Sequence, residues 1–212
     1  MLPMMLFIHS VSHFLVDALS ITILFHEGVD ANLLAIAVVL YNTLAFSTQC
    51  LVGLLLDEVK RTRFFTAASM LTIILGFIMP LPFLCRVAVV AAGNSFFHVS
   101  AGKMTLLTSG NSARNLGIFV APGAIGVTLG TCFPRFGWPL CAAMLICAAI
   151  ICFSKHFDYV THKDLPGYSV SAQKSEFPLL SILLLCCAVA VRAVGGSVID
   201  FPGSKEFHSH FS

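Results

Sequence analysis

The sequence predicts an all-α, polytopic transmembrane helix bundle, and three observations predict it. Hydrophobic residues make up 58% of the 212-residue chain and charged residues 10%, whereas soluble domains carry about 25% charge. The apolar residues fall in long runs separated by short polar connectors. Lysines and arginines gather in alternate connectors. A water-soluble fold of this length cannot hide so much apolar surface. About 20 apolar residues cross a hydrocarbon core as a helix, the form that satisfies every backbone group within one segment. The runs are continuously apolar and do not alternate, which excludes a transmembrane barrel.

The first run, residues 4–25, starts without a basic region. His9, His13 and Asp17 interrupt it and no small-x-small cleavage site follows, so it reads as a retained helix rather than a signal peptide. The connector His26 to Asn32 leads to a second span, 32–56, and Asp57 to Arg63 leads to a third, 63–80. Pro80-Leu81-Pro82 precedes a fourth, 83–102; Lys103 to Arg114 precedes a fifth, 114–133; Pro134 to Gly137 precedes a sixth, 137–153. Proline and glycine at these breaks end helices. A longer basic stretch, 154–177, separates the six from a seventh span, 178–199. The expected organisation is a six-helix membrane domain at 1–153, a cytoplasmic linker at 154–177, a seventh helix at 178–200 and a polar tail at 201–212.

Charge sets the orientation. With a cytoplasmic N-terminus, the inside connectors hold Lys60, Arg61, Arg63, Lys103, Arg114, Lys155, Lys163 and Lys174. Arg135, Glu27 and Asp30 fall outside, with Arg86 near the outer end of the fourth span. That is the positive-inside distribution, repeated in three connectors. No basic block is long enough for a nucleic-acid site.

Polar residues inside the runs are the functional candidates, because charge at membrane depth is costly and faces the bundle interior or a cavity. His9, His13, Asp17 and Ser20 share one helical face. A His13–Asp17 pair one turn apart suits a proton or substrate pathway, and equally a structural network between helices. Asn42 and Gln49 share a face of span two, as Asn94 and His98 do in span four; each pair reads as substrate contacts or as polar glue between helices. Arg86 reads as an interfacial side chain, or as a partner for an anion or Asp17. Arg192, deep in span seven, is a candidate partner for a substrate anion or a carboxylate.

The eight cysteines lack CxxC spacing and read as small buried hydrophobes. One set on a single helix, His9-His13-Asp17, has metal-ligand types, but one helix leaves it open, so neither a metal site nor a cofactor is expected. A phosphate-binding glycine loop and its lysine are absent. An intramembrane enzyme built on His13 and Asp17 has no obvious nucleophile partner, so no enzyme is expected.

The stretch Gly53-Leu-Leu-Leu-Asp57-Glu-Val-Lys60-Arg61-Thr-Arg63 resembles the signature loop after the second helix of the major facilitator superfamily. Glu58 and Val59 depart from that pattern, in which a Gly-Arg pair is common. The resemblance implies a half-domain of six helices, two inverted three-helix repeats, followed by the start of a second half. It implies a clasp in which Gly53, Asp57, Lys60, Arg61 and Arg63 make and break contacts between inward and outward states; Arg114, at the inner start of span five, reads as a clasp partner near Asp57 or as a topology-setting charge. Bottom-up, the same residues serve as a solvated basic loop that sets topology. In span five, Gly117, Pro122, Gly123, Gly126 and Gly130 form a small-residue face for close helix approach. This is similar to the glycine- and proline-rich fifth helix of exporters in that superfamily, although Ala121 and Ile125 stand where glycine is favoured. Ser12-His13-Phe14 to Asp17 and Phe97-His98 are weakly similar to a prokaryotic branch that includes fosmidomycin-resistance-like exporters.

The expected function is secondary transport of a small solute by alternating access, coupled to protons, in a prokaryotic cytoplasmic membrane. Its expected partners are the solute, protons, the lipid bilayer and a second half or second chain. The alternative is a truncated or non-transporting membrane scaffold.

Overall fold

Apolar runs become helices in the computed structural model, which describes residues 2–57, 59, 61–108 and 113–154. The helices are α1 (Leu2–His26), α2 (Ala31–Ser47), α3 (Gln49–Asp57), α4 (Thr62–Ile78), α5 (Phe83–Thr108), α6 (Ala113–Cys132) and α7 (Gly137–Phe153). A single 3-10 turn, Pro134–Phe136, leads into α7, and no strand occurs among the described residues. The segments Met4–His26, Ala31–Leu56, Phe83–Leu107, Arg114–Cys132 and Pro134–Phe153 are long and apolar enough to cross a membrane. At 17 residues, α4 is shorter; it rises about 25 Å against a hydrocarbon core of about 30 Å. The linker, seventh span and tail expected at 154–177, 178–200 and 201–212 lie outside the described residues, apart from Ser154.

Two boundaries differ from the sequence expectation. The span 32–56 is two helices, α2 and α3, broken at Thr48. Three successive side chains there bond back to the preceding turn. Ser47 Oγ donates to the Thr43 carbonyl, Thr48 Oγ1 to that of Leu44 at 2.5 Å, and Gln49 Nε2 to that of Ala45 at 2.9 Å. Such back-bonding competes with the helical ladder and bends it. The fourth span continues past 102 to Thr108, which puts Lys103 inside α5 rather than in a connector. Its long stem lets Nζ reach the Leu56 carbonyl at 2.6 Å, near the end of α3.

Between α1 and α2 the chain turns at Gly28, whose φ of 60° is the left-handed region glycine tolerates. Asp30 then caps α2, its Oδ1 accepting from Asn32 and Leu33 N–H at 3.0 Å each.

The core forms around α1, which packs on α5, α6 and α7, while α4 packs on α5 and α7 and α2 on α5. Val16, Leu19 and Ile23 of α1 are fully buried with Met70 and Ile73 of α4 and Met144 and Ile151 of α7. Close backbone approach makes this possible. A methyl at Gly93 of α5 would sit 2.7 Å from Ile73 Cγ1 and 3.0 Å from the Ser69 carbonyl oxygen. Large apolar side chains cover the outside instead: Val39 is 66% exposed, Leu54 65% and Ile125 65%. In a bilayer this surface faces lipid. Cysteine placement departs from expectation for the same reason. Cys141 and Cys147 are buried, but Cys50, Cys85 and Cys132 are on the outer surface, where lipid tolerates an apolar thiol as well as the core does.

Candidate functional site

Three helices bring four of the predicted polar residues to one point. His13 and Asp17 come from α1, Asn94 and His98 from α5, and α6 closes the third side. His13 Nε2 lies 3.2 Å from Asp17 Oδ2 and 2.8 Å from His98 Nε2. His98 Nε2 is 3.6 Å from Asp17 Oδ1, to which Asn94 Nδ2 donates at 3.3 Å. The same amide is 3.4 Å from Ser20 Oγ. His13 and Asn94 are buried, and the side chains of Asp17 and His98 are 14% and 20% exposed.

Backbone carbonyls fix the tautomers. His13 Nδ1 faces the Phe119 carbonyl of α6 at 2.9 Å, and His98 Nδ1 faces the Asn94 carbonyl at 2.9 Å. A carbonyl only accepts, so both rings donate through Nδ1. The two Nε2 atoms then meet at 2.8 Å. Two bare lone pairs repel at that distance, so the arrangement suits a shared proton or a cation, with the Asp17 carboxylate 3.2 Å away as its counter-charge. Ring contacts hold the two imidazoles: His13 stacks on Phe119 with centroids 4.6 Å apart and meets His98 edge-on at 4.5 Å.

The local cause lies partly in α6. Pro122 has no N–H, so the Ile118 carbonyl one turn earlier loses its helical donor. Ser10 Oγ of α1 lies 3.2 Å from that carbonyl and 2.8 Å from its own Leu6 carbonyl. Beyond the proline, glycines press α6 onto α1. A methyl at Gly123 would sit 2.8 Å from His13 Nε2 and closer still to Asp17 Oδ2. One at Gly126 would run into the Phe14 carbonyl oxygen, and one at Gly130 into that of Ala18. Gly117 has open space beside it.

Other predicted residues stand elsewhere. Asn42 is exposed on the outer face of α2, not in the cluster, because its neighbour Tyr41 takes the buried position. Gln49, the first residue of α3, bonds back to the Ala45 carbonyl of α2, as described above. In the loop with the superfamily resemblance, Gly53 sits 4.0 Å, measured from an added Cβ, from Val99 of α5. Asp57 ends α3. Arg61 is exposed, and Arg63 donates to the Ser154 carbonyl at 3.0 Å, at the C-terminal end of α7. Arg114 is exposed at the start of α6. Lys60 and Arg192 lie outside the described residues. Arg86 is away from Asp17: it pairs with Glu27 and donates to the Gly76 and Phe77 carbonyls at 3.1 and 2.7 Å.

The sequence reading missed the Phe119 carbonyl, Ser10 and Thr105, whose hydroxyl is 3.2 Å from His9 Nδ1. Only Ser10 had a signal, since a proline inside a helix frees the carbonyl four residues earlier.

No family model matches the chain, nor does any curated protein or solved structure compared with it. The fold and site define a multi-pass, all-α membrane bundle with a polar cluster in its interior. The likeness to the major facilitator superfamily thus rests on its residues alone.

Proposed function

We propose that this chain forms part of a secondary transporter for a small polar solute, with the His13–Asp17–Asn94–His98 cluster as its coupling element. The observation that carries the reading is the 2.8 Å contact between the His13 and His98 Nε2 atoms beside the Asp17 carboxylate. That contact suits a proton or cation, and within membrane-spanning helices ionisable groups mark ion and substrate pathways. On this reading the N-terminus is cytoplasmic, the coupling ion is a proton, and the chain works by alternating access in a cytoplasmic membrane against a second half or second chain. The stretch Gly53–Arg63 is the clasp between states, and the glycines and proline of α6 favour export. The reading assigns no catalysis.

A second reading, a non-transporting membrane scaffold, asks for no kinship with transporters, and the comparisons sit better with it. The broad apolar surface of α2 and α3 favours it, because that surface suits another membrane chain as well as lipid. Flux separates the two. In proteoliposomes under an imposed proton gradient, the transporter reading expects uptake or efflux within a panel of small polar solutes, lost in Asp17→Asn. A folded chain that moves none of the panel, or an Asp17→Asn variant with unchanged flux, contradicts it and leaves the scaffold.

A further inference from the structure

The convergence of two imidazoles and a carboxylate has a consequence separate from transport. We infer that His13, Asp17 and His98 form a binding site for a zinc-class divalent cation, held by both Nε2 atoms and the Asp17 carboxylate. Their ligand atoms all lie within 4.8 Å of one another. The separations are 2.8 Å between the two Nε2 atoms, 3.2 Å from His13 to Asp17 and 3.6 Å from His98 to Asp17. Zinc bonds of about 2.0–2.1 Å place tetrahedral ligand atoms about 3.3 Å apart, which these distances bracket.

The surroundings are those of a metal site. A ligating histidine typically donates its other ring N–H to a carbonyl or carboxylate, which fixes its tautomer and raises its basicity. Both rings do so, to the carbonyls of Phe119 and Asn94. The Asn94 amide orients the carboxylate. Gly123 faces the trio from α6, and a methyl there would crowd His13 Nε2 and Asp17 Oδ2. Glycine at this position therefore lets α6 close over the trio without a side chain clashing with its ligand atoms. Ligand chemistry selects the cation: magnesium and calcium take mainly oxygen ligands, whereas two imidazoles favour zinc and its neighbours. The set on α1 alone is too open for a metal; His98 of α5 encloses it.

The site stands on these side chains whether or not the chain moves a solute, so its test reads bound metal and not flux. The full chain in detergent, stripped with a chelator, is titrated with Zn2+ by calorimetry. The expected result is one zinc per chain, undisturbed by excess Mg2+. Binding weakens at least tenfold in His98→Ala and in Asp17→Asn and persists in His26→Ala. X-ray absorption at the zinc edge of the unaltered chain tests the site even where variants fail to fold. It is expected to show two imidazoles, with nitrogen and oxygen at about 2.0 Å. A folded chain that binds no zinc, full binding in a His13→Ala/His98→Ala variant, or a sulfur shell at about 2.3 Å overturns the inference.

Discussion

Helix α1 and the α2–α3 pair invert the pattern of a soluble protein. Helix α1, rich in ionisable groups, is among the most buried: His9, Ser12, His13 and Ser20 have almost no exposure. The pair α2–α3 carries one charged residue, Asp57 at its end, yet Ile36, Val39, Leu51 and Leu54 are each more than half exposed. In water this arrangement fails. In a bilayer, lipid replaces water outside, and the bundle interior is where polar groups find partners. The difference teaches that burial here does not follow hydrophobicity: polar side chains of α1 are interior while large apolar side chains of α2–α3 face outward.

The sharpest way to break that comparison is to block the approach of α6 to α1. Gly126→Leu drives a side chain into the Phe14 carbonyl and is expected to destabilise the bundle by about 3 kcal/mol. Its outward-facing neighbour Ile125→Leu should stay within about 0.5 kcal/mol. Denaturant titration in mixed micelles measures both, and equal effects would mean that α6 does not face α1 through its glycines.

The next largest effect is at the outer end. Arg86→Ala strips a donor from the Gly76 and Phe77 carbonyls as well as the Glu27 pair, an expected loss of about 1–3 kcal/mol. Glu27→Gln leaves both carbonyl bonds in place and is expected to cost less than about 1 kcal/mol. A larger loss in the Glu27 variant would move the weight of this contact from helix capping to the ion pair. Asp30→Ala removes the α2 cap at an expected cost of about 1 kcal/mol, read from thermal unfolding of the same preparation.

The smallest effect separates proline from its compensation. Ser10→Ala is expected to cost about 0.6 kcal/mol, the scale of a hydrogen bond between membrane helices. In a Pro122→Ala background the restored N–H takes the Ile118 carbonyl, so the Ser10 substitution should cost less there. A double-mutant cycle checks this, and an unchanged Ser10 effect would show that the hydroxyl serves Leu6 instead.

Much of the fold was legible because membrane spans depend on length and hydropathy, both local properties. The starts of α2, α4 and α7 fall within a residue of the expected positions, at connectors marked by Asp30, by Arg61 and by Gly137. The break at Thr48 was not legible, because hydroxyl and amide side chains inside an apolar run leave its hydropathy nearly unchanged. The site was legible in halves. Spacing of four put His13 with Asp17 and Asn94 with His98, one pair per helix. Which pairs meet depends on how α1 packs on α5, a contact between helices distant in sequence. Asn42 was misplaced because adjacent helix positions point in different directions: Tyr41 faces the core and Asn42 does not.

The inverted burial of α1 and α2–α3 is tested most directly by nitroxide labels at Val39 and Leu54 in bilayers, read by power saturation. Strong relaxation by lipid-dissolved oxygen and little by a water-soluble nickel chelate is the expected result at both positions. Ready access of the nickel chelate to either would place that face in water and contradict the account.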